Sequence, residues 1–398
     1  MFVAPVFVAD YVVIFRVATF FSQSGGDHGA VCPDRVTDFE GGTKMKKTRI
    51  ICLLLALVML LTCLSACGSL QQPVVNSDAP AENTGGDDGE QTKTEATYTM
   101  NIGNVAATEH PINIALRSFK EAVEERTNGD LVVNIHDNSV LGGELELLEQ
   151  VNAGTLESAV EMGGANWESY NGAADIALVP FLFKSIEAGR KAWNNTDFSR
   201  KFEEEVINPY GATMLSVWES GMRHMTNNTR PIVEPEDMAG IDFRTSQNDM
   251  KLQMFEALNS SVQMIAFGEL FTALQNGTVD GQENPLSNIE SSSLDEVQKY
   301  LSLTGHMYDV CIFICNTEWF ESLPEEYQTI IMEEAANARE IELQENDESV
   351  ILQRLEDAGM EVNEVDKEAF IERMSDIWAR FDEEYGEEWI DLALAAQE

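Results

Sequence analysis

Cationic side chains are scarce in this chain, so the ones that end a structural element stand out. Of 398 residues, 25 are Lys or Arg and 69 are Asp or Glu, a formal net charge of −44. From residue 97 onward, 18 basic side chains face 58 acidic ones. Arg244 closes a strand-like run, Ile241-Asp242-Phe243-Arg244. Its planar guanidinium matches the geometry of a carboxylate with two parallel hydrogen bonds, which an ammonium cannot do. The competing reading of Arg244 is a surface ion pair with one of the many acids. The same acidity repels nucleic-acid phosphates and excludes nucleic acid as a partner. The chain has no Gly-rich phosphate loop in a strand–helix context, no His/Cys spacing suited to zinc and no nucleophile elbow. Among so many carboxylates an acid pair carries no catalytic signal. The expectation is a binding protein, not an enzyme, with no metal and no cofactor.

The elements that must hold such a binding arginine alternate between strand and helix. Tyr98–Gly103 alternates like a strand, and Pro111–Arg126 follows with Ile114, Leu116, Phe119 and Val123 at helical spacing. Leu131–His136 is a strand, Gly142-Gly143 opens a helix through Val151, and Leu156–Met162 is a strand again. A second series runs through strands 212–217 and 240–244, helix 249–258, strand 261–265 and helix 268–275. Such alternation predicts α/β lobes with largely parallel sheet. Residues 323–355 and 367–395 read as long charged helices, with Pro324 at a helix start. Cys311 and Cys315 share one face of a strand in VCIFICN. Their α-carbons are then about 13 Å apart at about 3.3 Å per residue, beyond the roughly 7 Å limit for a disulfide, so they read as buried thiols. Two α/β lobes imply a ligand cleft between them, beyond the carboxyl ends of the strands.

The N-terminal part reads as an address. From Met45 the chain runs MKKTRIICLLLALVMLLTCLSAC: a basic start, an apolar run from Ile50 to Leu64, then Leu64-Ser65-Ala66-Cys67-Gly68. That order is a bacterial lipoprotein signal over 45–66, with Cys67 as the lipidated first residue. Residues 1–44 fit no export signal. Glu40-Gly41-Gly42 can be encoded by a ribosome-binding sequence two codons before Met45, so 1–44 is expected to be a mis-assigned upstream extension. Residues 67–96 are polar, acidic and poor in large apolar side chains, which predicts a flexible tether.

Four stretches resemble the substrate-binding subunits of tripartite ATP-independent periplasmic (TRAP) transporters of the C4-dicarboxylate-binding type. They are Ser139–Glu157 (SVLGGELELLEQVNAGTLE), Ala177–Phe183 (ALVPFLF), Gly221–Arg244 (GMRHMTNNTRPIVEPEDMAGIDFR) and the segment LFTALQNGTVDGQENP within 266–305. The resemblance runs from about Tyr98 almost to the C-terminus. It implies a periplasmic binding protein-like fold: two α/β lobes around a ligand cleft, joined by crossing strands and braced by long C-terminal helices. Lobe I would be 97–220 plus 309–348, and lobe II 221–308 plus 349–398 with the C-terminal helices.

By this resemblance Arg244 makes the two-pronged bridge to a ligand carboxylate. Arg223 is a second ligand arginine, or else a hinge ion pair. Asn284 hydrogen-bonds the carboxylate, or else serves the turn before Pro285. Phe267 packs on the ligand, or else in the core. In the first lobe Glu144 accepts hydrogen bonds from ligand hydroxyls, or else favours its helix dipole. Asn166 and Trp167, in a segment 162–167 expected to line the cleft, meet a small or sugar-like acid. Met162 and Ala165 stand where sialic-acid receptors carry a Glu and an Arg, which argues against sialic acid. The loop 104–111, with Glu109 and His110, completes the wall. The resemblance implies an exported, lipid-anchored monomer that binds a small organic carboxylate and passes it to ion-gradient-driven TRAP permease subunits in the membrane. The alternative is a ligand-binding sensor in a signalling system.

Overall fold

The structure, a computed structural model, describes residues 96–398. The upstream extension, the signal peptide, Cys67 and the tether to residue 95 lie outside the described residues. In chain order the elements are β1 (Tyr98–Gly103), α1 (Pro111–Arg126), β2 (Leu131–His136), α2 (Glu144–Asn152) and β3 (Ser158–Met162). Next come α3 (Ile186–Trp193), α4 (Asp197–Phe202), β4 (Ala212–Asn227), β5 (Asp242–Thr245), α5 (Asp249–Ala257) and β6 (Ser261–Met264). Then follow α6 (Leu270–Gln275), β7 (Gly281–Pro285), α7 (Leu286–Ser291), β8 (Tyr300–Asn316), α8 (Thr317–Ser322), α9 (Glu325–Glu345), α10 (Glu348–Ala358) and β9 (Glu361–Asn363). The chain closes with α11 (Lys367–Glu372), α12 (Ser375–Tyr385) and α13 (Glu388–Ala395).

Local chemistry explains the first α/β unit. His110 caps α1 by accepting from the Ile112 amide, and Pro111 occupies the first turn, where its missing N–H costs nothing. Ile112, Ala115, Leu116, Phe119 and Val123 then bury one face of the helix. Phe119 meets Phe313 of β8 edge-on, with centroids 5.2 Å apart.

The strands form one mixed sheet in the order β2-β1-β3-β8-β4-β7-β5-β6, with β9 beside β8. Pairing is parallel at the two outer parts, β1 with β2 and β3, and β5 with β6 and β7. It is antiparallel where β8 and β4 run through the middle. β4 was expected to end at Val217 but continues to Asn227, because β8 pairs with it along its whole length. The register slips between Glu219 and Gly221. Gly221 has φ +111°, and a Cβ at this position would meet Glu348 Oε1 at 2.7 Å.

The long helix expected over 323–355 is broken at Asn346-Asp347. Asp347 caps α10 through the amides of Ser349 and Val350, while Asn346 Nδ2 donates to the Glu219 carbonyl at 3.0 Å. The segment expected as one helix over 367–395 is three, interrupted at Arg373-Met374 and at Gly386, where φ is +93°. Its position also corrects the assignment of 349–398 to lobe II. α10 and β9 do sit there, α10 against α7 and β9 against β8. α12 and α13 instead cover lobe I: Trp378 Nε1 donates to the Pro180 carbonyl, Gln397 Nε2 to that of Leu182, and Lys201 pairs with Glu388. The apolar stripe Phe370, Ile377, Phe381, Trp389 and Ile390 finds its buried partners in the large core beneath. Cys311 and Cys315 are buried free thiols.

Candidate functional site

Between the lobes lies a narrow pocket, lined by Val105, Glu144 and Met162 from lobe I, by Arg244, Ser246, Lys251, Phe267, Asn284 and Asn288 from lobe II, and by Arg223 of the crossing strand. Cross-lobe hydrogen bonds close it. Asn248 Nδ2 donates to Glu168 and Asp175, and His110 meets Asn288 at 2.8 Å. His110 Nδ1 already accepts from Ile112, so Nε2 carries the proton it gives to Asn288. Burial holds this histidine neutral, with its pKa lowered to about 4.

Arg244 leaves the carboxyl end of β5 and is 1% exposed. Its Nε donates to the Ile265 carbonyl at 2.8 Å, and its guanidinium lies 5.9 Å from the centre of the Phe267 ring. Its two terminal nitrogens make no hydrogen bond or ion pair among the described residues. Burial, reinforced by Arg223 and opposed by Glu283, lowers its pKa to about 10. A buried guanidinium with two free donor nitrogens is costly until an anion arrives.

Arg223 lines the same pocket with its guanidinium engaged. Its Nε meets Glu283 Oε2 at 2.5 Å and its Nη1 meets Asp309 Oδ2 at 2.8 Å. Its Nη2 donates to the Glu283 carbonyl and to Asn284 Oδ1. Although burial works against its charge, Glu283 and Asp309 hold its pKa above the ordinary value. Arg223 therefore faces the pocket as part of a buried ion cluster with Glu283 and Asp309, which Lys251 approaches at 3.6 Å from Glu283. Asn284 lines the cavity but is also engaged, accepting from Arg223 and Asn288 and donating to Gln282.

The lobe I wall is acidic. Glu144 opens α2, and its Oε2 accepts from Asn166 Nδ2 at 2.9 Å. Burial pushes its pKa up to about 7, against the pull of Asn166, Lys251 and Arg244. Behind it on β3, Glu161 is fully buried with neither oxygen hydrogen-bonded. Burial first, then Glu144, push its pKa well above the carboxylate range. Asn166 thus steadies Glu144 from beside the cavity. Trp167 is not in the wall: it is fully buried and packs edge-on against Tyr210 at 5.5 Å. Of the loop 104–111, Val105 reaches the cavity and His110 closes it.

Lys251, Ser246 and Asn288 line the cavity without having been singled out in the sequence. Lys251 Nζ donates to Ser246 Oγ at 3.0 Å and stands 3.6 Å from Glu283. Its signal was present: Phe255 and Leu258 lie four and seven residues on, which puts the lysine on the buried face of α5. Among the described residues no group of three or more His, Cys, Asp or Glu is arranged to hold a metal ion.

Comparisons with known proteins bear on this geometry. The family described as "Bacterial extracellular solute-binding protein, family 7" matches residues 102–384. A solute-binding protein of Verminephrobacter eiseniae is 32% identical over 308 residues, 76% of this chain and 90% of that protein. A TRAP periplasmic solute-binding protein from Polaromonas sp. JS666, solved bound to D-erythronate, superposes with a TM-score of 0.71 at 32% identity, covering 75% of this chain and 98% of the other. One from Sulfurospirillum deleyianum, solved with bound succinate, gives 0.71 at 26% identity, covering 76% and 99%.

Proposed function

This chain belongs to bacterial extracellular solute-binding protein family 7, the family of the TRAP solute-binding subunits, and on that premise we propose that its cleft captures one small organic carboxylate and delivers it to the membrane subunits of an ion-gradient-driven transporter. The observation that carries the reading is Arg244, a buried guanidinium with uncommitted terminal nitrogens lining a pocket between two lobes. The Phe267 ring lies 5.9 Å from that guanidinium, and the pocket continues past Phe267 and Glu144 toward Asn166. Binding shifts an equilibrium between open and closed lobes, so the ligand must bind the closed form better. The protein performs no chemistry on its cargo.

Export is a property of the family. Attachment through lipid on Cys67, which would hold a monomer at the outer face of the bacterial cytoplasmic membrane, is supported by the ordered basic, apolar and Leu-Ser-Ala-Cys segments. Cys67→Ser should release the protein from membranes in fractionation, and a variant that stays bound would overturn the anchor. A sensory role for the same pocket has no support from the relatives, which are named as solute-binding proteins.

The direct test is calorimetry with a panel of small carboxylates, after unfolding and refolding the protein to strip carried-over ligand. Micromolar or tighter binding of one acid is expected. Silence from folded protein across the panel would sink the carboxylate reading.

A further inference from the structure

Two helices begin beside the pocket, and the residue that caps each one has a second task. His110 precedes α1, and its Nδ1 accepts from the Ile112 amide at 3.2 Å. With Nδ1 as the acceptor, the ring proton is on Nε2, which donates to Asn288 Oδ1 at 2.8 Å, 178 residues away. Asn248 precedes α5, and its Oδ1 accepts from the Lys251 amide at 3.0 Å. Its Nδ2 donates to Glu168 Oε2 at 2.6 Å and to Asp175 Oδ1 at 2.8 Å, 80 and 73 residues away. In both cases one polar atom satisfies the residue's own helix start. The other reaches across to the opposite side of the pocket.

The two contacts run in opposite directions. His110, on the β1–β3 side of the sheet, donates to α7 on the β5–β7 side. Asn248, on the β5–β7 side, donates back to the segment that follows β3. Neither side chain lines the pocket around Arg244, whereas Asn288 and Lys251 do. Both are buried, His110 at 1% exposure and Asn248 at 3%. Because the cap already fixes each side chain, its second donor is aimed before it meets its partner, and little side-chain entropy is lost in the meeting. Glu168 adds to the second contact. Its Oε2 also accepts from the Asp249 amide at 3.1 Å, one of the amides that a helix start leaves without an intrahelical partner. The start of α5 is thus capped by its own Asn248 and, from across the pocket, by Glu168.

We propose that His110 and Asn248 are latches that set how long the receptor keeps its cargo, each capping its own helix in every state and clasping the opposing lobe only when the lobes are together. The proposal rests on the two-lobe receptor reading and adds positioning residues that do not touch the ligand. A hydrogen bond made only in the ligand-retaining state slows release and leaves the first encounter alone. The Asn248 latch has two acceptors and the His110 latch one. They hold the two sides together by separate residues, so each can be released without the other.

Substitutions can remove a latch and keep its cap. Asn248→Asp retains an oxygen for the Lys251 amide, but it has no donor for Glu168 or Asp175 and sets a further acid against them. His110→Asn retains a capping oxygen and ends short of Asn288. Glu168→Gln added to Asn248→Asp reverses donor and acceptor across the gap: the glutamine Nε2 can donate to the new carboxylate while its Oε1 still accepts from the Asp249 amide.

The test is stopped-flow kinetics on the stripped full-length mature protein, with whichever acid binds from the carboxylate panel, beginning with D-erythronate and succinate. Each single variant should release the acid about tenfold faster than the parent, with the association rate and the ligand-free melting temperature unchanged. The Asn248→Asp, Glu168→Gln double variant should recover part of the lost retention. Residues that served only the fold would lower the ligand-free melting temperature and show no such recovery. Unchanged release from both single variants, or an effect confined to association, would overturn the latches and leave the receptor reading intact. If no acid of the panel binds the folded parent, the receptor reading falls and the latches fall with it.

Discussion

Arg244 is buried with two terminal nitrogens that no described residue binds. Its burial lowers its pKa to about 10, a displacement worth on the order of a few kcal/mol against the folded, ligand-free state. Two outcomes follow for one side chain. Arg244→Ala should weaken carboxylate binding by about 100-fold or more, since it removes one partner of a buried charge pair. Arg244→Met should abolish binding as well, yet raise the melting temperature of the ligand-free protein, because an apolar side chain of similar length removes an uncompensated buried charge. A ligand-free Arg244→Met protein that melts below the parent would show that the guanidinium is stabilised by something other than its ligand. Arg244 was legible in the sequence because a strand ended on it and few cations compete for notice. Arg223 lines the cavity but is occupied by Glu283 and Asp309, residues 60 and 86 positions away, and no local pattern announces such pairing. Trp167 was misplaced for a related reason: the turn after β3 rotates it into the core beside Tyr210, and sequence spacing does not reveal which way a short irregular turn points.

At the scale of elements, the bulge in β4 meets the junction between α9 and α10. The slipped register at 219–221 leaves backbone groups that β8 does not satisfy. Three side chains of the helical junction take them: Glu342 accepts from the Glu219 amide, Asn346 donates to the Glu219 carbonyl, and Glu348 accepts from the Met222 amide at 2.7 Å. Gly221 is needed both for its positive φ and for the approach of Glu348. Gly221→Ala should therefore lower the unfolding free energy by about 1–3 kcal/mol; unchanged denaturant midpoints would show that the strand can cross without this kink. The repeated strand–helix alternation of both lobes was readable from periodicity, and so was the existence of long charged helices near the end. Their breaks were not, since Asp347 acts as a cap only because Asn346 is tied to β4. The placement of α12 and α13 on lobe I was equally hidden, because an amphipathic helix states that it needs an apolar partner and not which one.

For the whole molecule, pH acts through two opposed sets of buried groups. Burial pushes Glu342 up to about 8 and Glu348 to about 7, from 4.5. The folded state holds protons there that the unfolded chain releases, so this contribution to stability is full below about pH 4.5 and is lost as pH rises toward 8. Burial lowers His110 to about 4 and His224 to about 3, from 6.5. The unfolded chain takes up protons that these histidines refuse, so stability is also lost as pH falls below about 6.5. The surplus of acids adds self-repulsion that eases as pH drops. The melting temperature should peak near about pH 6, and a maximum at pH 8 or above in a thermal scan would contradict these assignments.

The position of β8 in the sheet has a consequence for how the chain is made. Residues 300–316 lie between β3 and β4, at the centre of the sheet, although more than three quarters of the chain precedes them. Neither lobe can complete its strand pairing until that late segment arrives, so most of the sheet's contacts are distant in sequence and slow to form. A chain threaded through a membrane from its N-terminus meets this condition only when residue 316 has emerged on the far side. The topology delays completion of the sheet while the polypeptide must still be threadable, and permits it once residue 316 has crossed.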